Sequence, residues 1–252
     1  QCARAADDPE WGATVALSSL PAWQPSRKPL TSRPMQTDTA RGQMIHQQLR
    51  AWHVLDQTVL DTFARVPRER FVPPAYAEVA FADTEIPLGG DDHMLAPKVA
   101  GRIVQAVAPQ PTDRVLEIGT GSGYLSACLA AHACSLRSLE IREDLAQQAA
   151  ANLRAVGVRN ATVEHRDAYA PEALGNGVHE VIVLTGSLPA RDARFEERLA
   201  PGGRMFVVLG TGPVMEASLV TRAADGSLTC TGLFETVLRP LVGAPQPSAF
   251  RF

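Results

Sequence analysis

Four cysteines are scattered through 252 residues, Cys2, Cys128, Cys134 and Cys230, and no two form a C-x-x-C pair. That spacing excludes a paired-cysteine zinc site or a thioredoxin-type redox motif. Neither charge sign dominates. With 24 Lys and Arg against 27 Asp and Glu the net charge is −3, so no whole-chain basic field draws the protein to nucleic acid. No apolar run approaches the roughly 18 residues that a membrane span needs. No signal peptide is recognisable, and with the sparse cysteines this points to a reducing cytoplasm. There is no obvious His/Asp base pair and no cluster of metal ligands. What is left is an ordinary globular composition, 45% hydrophobic and 20% charged, at a length that suits one or two domains.

Residues 114–124 stand out, reading Arg-Val-Leu-Glu-Ile-Gly-Thr-Gly-Ser-Gly-Tyr. An apolar, strand-like run carries Glu117 near its end. Gly119, Gly121 and Gly123 follow at alternate positions, and a helix-like stretch of small residues comes next. Strand, glycine turn and helix form the layout in which a nucleotide-like ligand meets a helix N-terminus. A nicotinamide site wants G-x-G-x-x-G, which requires glycine at 124, and Tyr124 stands there. The pattern is E-x-G-x-G-x-G. An acid lining the turn repels a pyrophosphate but tolerates a sulfonium and an amino-acid ammonium, and S-adenosylmethionine carries both.

A second acid is in register. Glu140 ends the strand-like segment 135–141, about 20 residues past the glycine turn, where a Rossmann-like fold places its ribose-binding acid. A third strand-like run, 161–166, is followed by Asp167. An acid there can accept from the exocyclic amine of adenine. The candidate cofactor contacts are therefore Glu117, Gly119, Thr120, Gly121, Ser122, Gly123, Tyr124, Glu140, Ile141, Asp167, Ala168 and Thr185.

Residues 1–34 show no sustained period and contain Trp11, Trp23 and several prolines and serines. They read as an extension ahead of a domain that opens near Met35. The expected domain runs 35–252, with a helical, substrate-facing part at 35–110 and a Rossmann-like core at 111–252. Helices are expected at 37–52, 56–66, 97–107, 122–132, 143–156 and 191–199. Strands are expected at 113–118, 135–141, 161–166, 180–184, 204–209, 214–222 and 228–238. Residues 75–94 read as mixed, with a loop at Gly89-Gly90-Asp91-Asp92, a second loop covers Thr185-Gly186-Ser187, and Pro201-Gly202-Gly203 reads as a turn. The alternation predicts an α/β fold, a mostly parallel sheet with helices on both faces and an antiparallel edge.

Several segments together carry a family resemblance. They are Arg70-Phe71-Val72-Pro73, Ala80-Phe81-Ala82-Asp83, Ile86-Pro87-Leu88-Gly89, Ala96-Pro97, the glycine motif 115–124, Ser138-Leu139-Glu140 and Leu199-Ala200-Pro201-Gly202-Gly203-Arg204. From about Gln43 to Val208 the chain resembles the protein-L-isoaspartate O-methyltransferases. The glycine motif alone marks a class I methyltransferase, and the segments upstream of it single out this family. The resemblance implies methyl transfer from S-adenosylmethionine to the free carboxylate of isoaspartyl residues in damaged proteins, with S-adenosylhomocysteine as product. It also places Asp83, His93 and Leu95 at the acceptor end. A carboxylate of pKa near 4 is ionised at about pH 7, so no strong general base is required. Catalysis then consists mainly of in-line placement of oxygen and methyl.

The chain departs from the family pattern in two places. Leu95 stands where the family carries a hydroxyl residue before Ala-Pro, and Arg166-Asp167-Ala168 replaces a Gly-Asp-Gly. An aliphatic side chain cannot hydrogen-bond a carboxylate. A different acceptor, or a cofactor-binding module without turnover, is accordingly the alternative reading. The expected protein is a monomer or homodimer without nucleic-acid or membrane partners and without a bound metal.

Overall fold

The computed structural model describes residues 34–245. The expected extension lies outside the described residues, except for Pro34, which opens the first helix. Helix α1 (Pro34–Gln43) continues as a π-helical stretch, Met44–Leu49, and a 3-10 turn, Arg50–Trp52. Helix α2 (Gln57–Arg65) starts where the Asp56 carboxylate accepts from the Thr58 amide, an N-cap. Strands β1 (Ile86–Gly89) and β2 (Asp92–Met94) form a hairpin, and helix α3 (Pro97–Val107) follows with Pro97 in its first turn. The segment 75–94, which reads as mixed, holds most of a 3-10 helix, Pro74–Val79, and then this hairpin. Its turn is made by Gly90 and Asp91, and Gly89, which ends β1, and Gly90 are both at positive φ (96° and 61°).

Strand and helix then alternate as expected: β3 (Arg114–Ile118), α4 (Tyr124–Ala130), β4 (Ser135–Glu140), α5 (Glu143–Ala155) and β5 (Ala161–His165). Strand β6 (His179–Leu188), the short helix α6 (Ala193–Glu196), and strands β7 (Leu199–Thr211), β8 (Val214–Arg222) and β9 (Leu228–Glu235) complete the fold. One sheet holds seven strands in the order β5-β4-β3-β6-β7-β8-β9. The first five in that order are mutually parallel, while β8 runs antiparallel to both β7 and β9.

Sequence order along each central strand sorts the core. Val115, Val181, Val183, Phe206 and Val208 pack on one face with α2, α3 and α4. Their neighbours Leu116, Ile118, Ile182, Leu184, Met205 and Val207 pack on the other with Phe195. Successive side chains of a strand point to opposite faces, so a strand covered on both sides carries apolar residues on both.

Three boundaries differ from the sequence reading. Strand β6 runs through Thr185-Gly186-Ser187, expected as a loop, because Ser187 and Leu188 pair with Val208 and Leu209 of β7; on its other side the Ser187 amide donates to the Arg239 carbonyl and the Leu241 amide to the Ser187 carbonyl. Strand β7 begins at Leu199, before the Pro-Gly-Gly turn, because Leu199 pairs with His179, and this shortens the preceding helix. Strand β9 ends at Glu235, and residues 237–242 leave the sheet edge to line a cavity. Among the described residues no helix is long and apolar enough to cross a membrane.

Candidate active site

The glycine turn between β3 and α4 is built for close approach. Gly119 has φ +91°, and a Cβ there would lie 2.2 Å from Thr185 Oγ1. Gly123 has φ +85°, and a Cβ there would press on Ala149 at 3.3 Å. Side chains rarely adopt that backbone, so both positions require glycine for shape and for space. The Thr185 hydroxyl lies 2.8 Å from the Gly119 carbonyl and 2.9 Å from that of Ile118, pinning the turn to β6.

The two acids differ in environment. Glu140 faces the cavity in front of the turn; its Oε2 accepts from the Gly121 amide at 2.8 Å and its Oε1 from the Arg142 amide at 3.1 Å. A carboxylate has about four acceptor positions, so this one keeps capacity for hydroxyl donors. Glu117 does not line the cavity. Parallel register sets it beside Ser138, and its Oε2 accepts from Ser138 Oγ at 2.7 Å and from Ser126 Oγ of α4 at 2.5 Å. Its Oε1 has no partner. Full burial pushes the Glu117 pKa up to about 7, and the two serine hydrogen bonds offset only part of that rise. Thr120, whose Oγ1 lies 2.6 Å from Ser138 Oγ, connects this buried carboxylate to the cavity wall.

The cavity has a volume of about 390 Å³. Its floor is the glycine turn, with Gly119, Thr120, Gly121, Ser122 and Tyr124; one side is Glu140 and Ile141, and Thr185 lies opposite. His93 and Leu95 from the hairpin side line the other end. Asp167 and Ala168 line a smaller neighbouring pocket that shares Gly119, Glu140 and Ile141 with the main one. Ten of the fifteen expected site residues thus border one cavity, and two more border its neighbour. Gly123 shapes the turn from behind. Asp83 stands outside the cavity lining, with its Oδ2 2.8 Å from Lys98 Nζ. Tyr124 presents its ring to Phe63 and Phe71 in the core, and burial raises its pKa.

Other residues that shape the site carry no local motif. Residues 237–242 border the cavity, held at Ser187 by backbone pairs and by Ser187 Oγ donating to the Leu238 carbonyl at 3.0 Å. Arg68 is fully buried and donates to the carbonyls of Ala80 and Leu95, both at 2.8 Å, while its guanidinium lies over the Tyr124 ring at 4.8 Å. It joins the acceptor-side segment to the helix that follows the glycine turn. The Arg-Phe-Val-Pro region signalled the neighbourhood, but nothing in it signalled a buried cation.

Both tight glycine positions and the free acceptor capacity of Glu140 fit an adenosyl ligand whose ribose meets a carboxylate. With a central parallel sheet, a glycine turn after β3 and an acid at the end of β4, the fold and site define a class I methyltransferase that uses S-adenosylmethionine. The family model for protein-L-isoaspartate(D-aspartate) O-methyltransferase matches residues 39–246. A protein-L-isoaspartate O-methyltransferase of Methanospirillum hungatei is 36% identical over 190 residues, covering 74% of this chain and 86% of its own. One from Methanoregula boonei is 37% identical over 187 residues, covering 74% and 85%. Among solved structures, a Plasmodium falciparum chain described as a protein-L-isoaspartate O-methyltransferase, in complex with S-adenosyl-L-homocysteine, superposes with a TM-score of 0.68. That match covers 81% of this chain and 97% of the other at 18% identity, a likeness of fold. The chain belongs to the protein-L-isoaspartate O-methyltransferase family.

Proposed function

We propose that this enzyme methylates the carboxylate of isoaspartyl residues in damaged proteins or peptides. The observation that carries the reading is the family match, which spans 39–246 and so includes the acceptor-side segment as well as the glycine turn. S-adenosylmethionine supplies an electrophilic methyl on a sulfonium. The chain's own residues bind, orient and exclude water. In this reading Gly119, Thr120, Gly121 and Ser122 receive the cofactor, Glu140 accepts from its ribose, and Ile141, Asp167 and Ala168 flank its adenine. Thr185 and Gly123 keep the turn in shape. Glu117 acts from beneath, through Ser138 and Thr120, rather than by contact. Tyr124 braces the start of α4.

At the acceptor end His93 borders the cavity, with its Nδ1 3.0 Å from the Asp91 carbonyl. Leu95 presents an aliphatic wall where the family has a hydroxyl. Asp83, paired with Lys98, is assigned to the rim that meets the rest of the substrate. The acceptor carboxylate needs no base, so placement is the chemical task. The reading extends to a cytoplasmic monomer or homodimer working without nucleic acid, which the net charge of −3 supports.

Labelled methyl transfer to an isoaspartyl peptide and to its aspartyl twin tests the proposal. Base-labile label on the isoaspartyl peptide alone supports it, and binding of S-adenosylhomocysteine with no label on either peptide refutes it. Leu95 favours one second reading, transfer to another carboxylate acceptor. Label appearing on a small carboxylic acid but not on the isoaspartyl peptide would establish that reading.

A further inference from the structure

The hairpin and the C-terminal segment close the cavity from two sides, and one carboxylate ties them. Asp92, at the start of β2, sits between two arginines. Its Oδ1 accepts from Arg239 Nη1 at 2.6 Å and its Oδ2 from Arg142 Nη1 at 3.1 Å. Arg142 follows Glu140 and Ile141 directly, and its backbone amide is the donor that holds Glu140 Oε1. Its guanidinium also reaches the Gly89 carbonyl at 2.5 Å, at the end of β1 in the same hairpin, and pairs with Asp144. Arg239 belongs to the segment pinned on Ser187, and its Nη2 lies 3.8 Å from Asp91. The hairpin in turn rests on the glycine turn, since a Cβ on Gly121 would lie 3.3 Å from Leu88 Cδ1.

We propose that Asp92 is a positioning residue for cofactor retention: it clasps the hairpin to the ribose side through Arg142 and to the C-terminal segment through Arg239, holding together the segments that border the cavity. Among the described residues, no other side chain bridges these three segments by ion pairs. Asp92 is partly exposed, at 31% of its side chain, and so are both arginines, at 29% and 47%. Pairs of that exposure are individually weak and open readily. A clasp of this kind retains the cofactor during turnover and releases it by breaking exposed ion pairs, the two of Asp92 and the longer Asp91–Arg239 contact, without unfolding either segment. Salt screens such pairs, so release quickens with ionic strength. The proposal rests on the cofactor assignment and not on the identity of the acceptor.

The test is the dissociation rate of labelled S-adenosylhomocysteine, chased with unlabelled ligand, in the wild-type chain and in Asp92→Asn. The asparagine keeps shape and loses charge, and its dissociation rate is expected to be about fivefold faster. At about 0.5 M salt the wild-type rate is expected to rise to meet it, since screening removes what the substitution removed. Hydrogen exchange at 86–94 and 237–242 is expected to increase in the variant, with an unchanged thermal midpoint. Asp92→Glu restores slow release in part. Equal dissociation rates for wild type and Asp92→Asn at low salt, or a difference that high salt leaves intact, overturn the clasp. Absence of any S-adenosylhomocysteine binding by the wild-type chain would instead strike at the cofactor assignment.

Discussion

Glu117 is a fully buried carboxylate whose pKa is raised from 4.5 to about 7. Folding therefore raises its proton affinity. Between those two values the native state keeps a proton that the unfolded chain has released. Stability then falls as pH rises across this window, because the native state binds more protons than the unfolded state. The shift from 4.5 to about 7 corresponds to about 3 kcal/mol, lost progressively and fully lost above the native pKa. Glu117→Gln cannot ionise. Its side-chain oxygen can still accept from Ser126 and Ser138, and its amide takes the place of the unpartnered Oε1. Urea unfolding followed by circular dichroism, without cofactor, at steps between pH 5 and 8 measures the contrast. The wild type is expected to lose about 2.5 kcal/mol relative to the variant between pH 5 and pH 8 and to run parallel to it above about pH 8. Other titrating groups cancel in the difference. A difference constant to about 0.5 kcal/mol over the window would refute the buried, unpaired carboxylate as described.

Three further outcomes follow from the site. Gly119→Ala places a methyl 2.2 Å from Thr185 Oγ1 at φ +91°, so the variant is expected to fold yet show no S-adenosylhomocysteine binding by calorimetry. Glu140→Ala strips the Gly121 and Arg142 amides of their acceptor, and affinity for S-adenosylhomocysteine is expected to fall by about tenfold to a hundredfold. Unchanged affinity would remove Glu140 from the ribose. Leu95→Ser restores a hydroxyl to the cavity wall and is expected to raise turnover of an isoaspartyl peptide while leaving cofactor affinity alone, as measured by methyl-transfer kinetics with both substrates varied. A fall in turnover would mean that the aliphatic wall itself suits the acceptor.

Most of the sheet was legible from the chain alone, because β3 through β5 and their helices follow one another closely and β3 and β4 are largely buried. Where the reading erred, distant partners overrode local chemistry. Thr185-Gly186-Ser187 has loop-like composition, yet Ser187 is drawn into a strand by its pairing with Val208 of β7. Pro201-Gly202-Gly203 reads as a turn, yet β7 spans it because Leu199 pairs with His179. The hairpin at 86–94 was hidden because its strands are only four and three residues long. Glu117 was visible as an acid near a glycine turn, but its direction was not. Strand alternation and its register with Ser138 send it beneath the turn rather than into the cavity.

The donor end of the site could be read by eye because it is local. The glycine turn and Glu140 lie within one turn, helix and strand, where spacing alone places each residue. The acceptor end has no such order. Its Asp92 meets Arg239 across 147 positions of sequence and Arg142 across 50, and Arg68 reaches Leu95 across 27. Contacts of that separation exist only once the chain has folded and the end of β6 has met the returning C-terminal segment. A linear pattern records which residues are present, while the folded sheet brings them within hydrogen-bonding distance of one another.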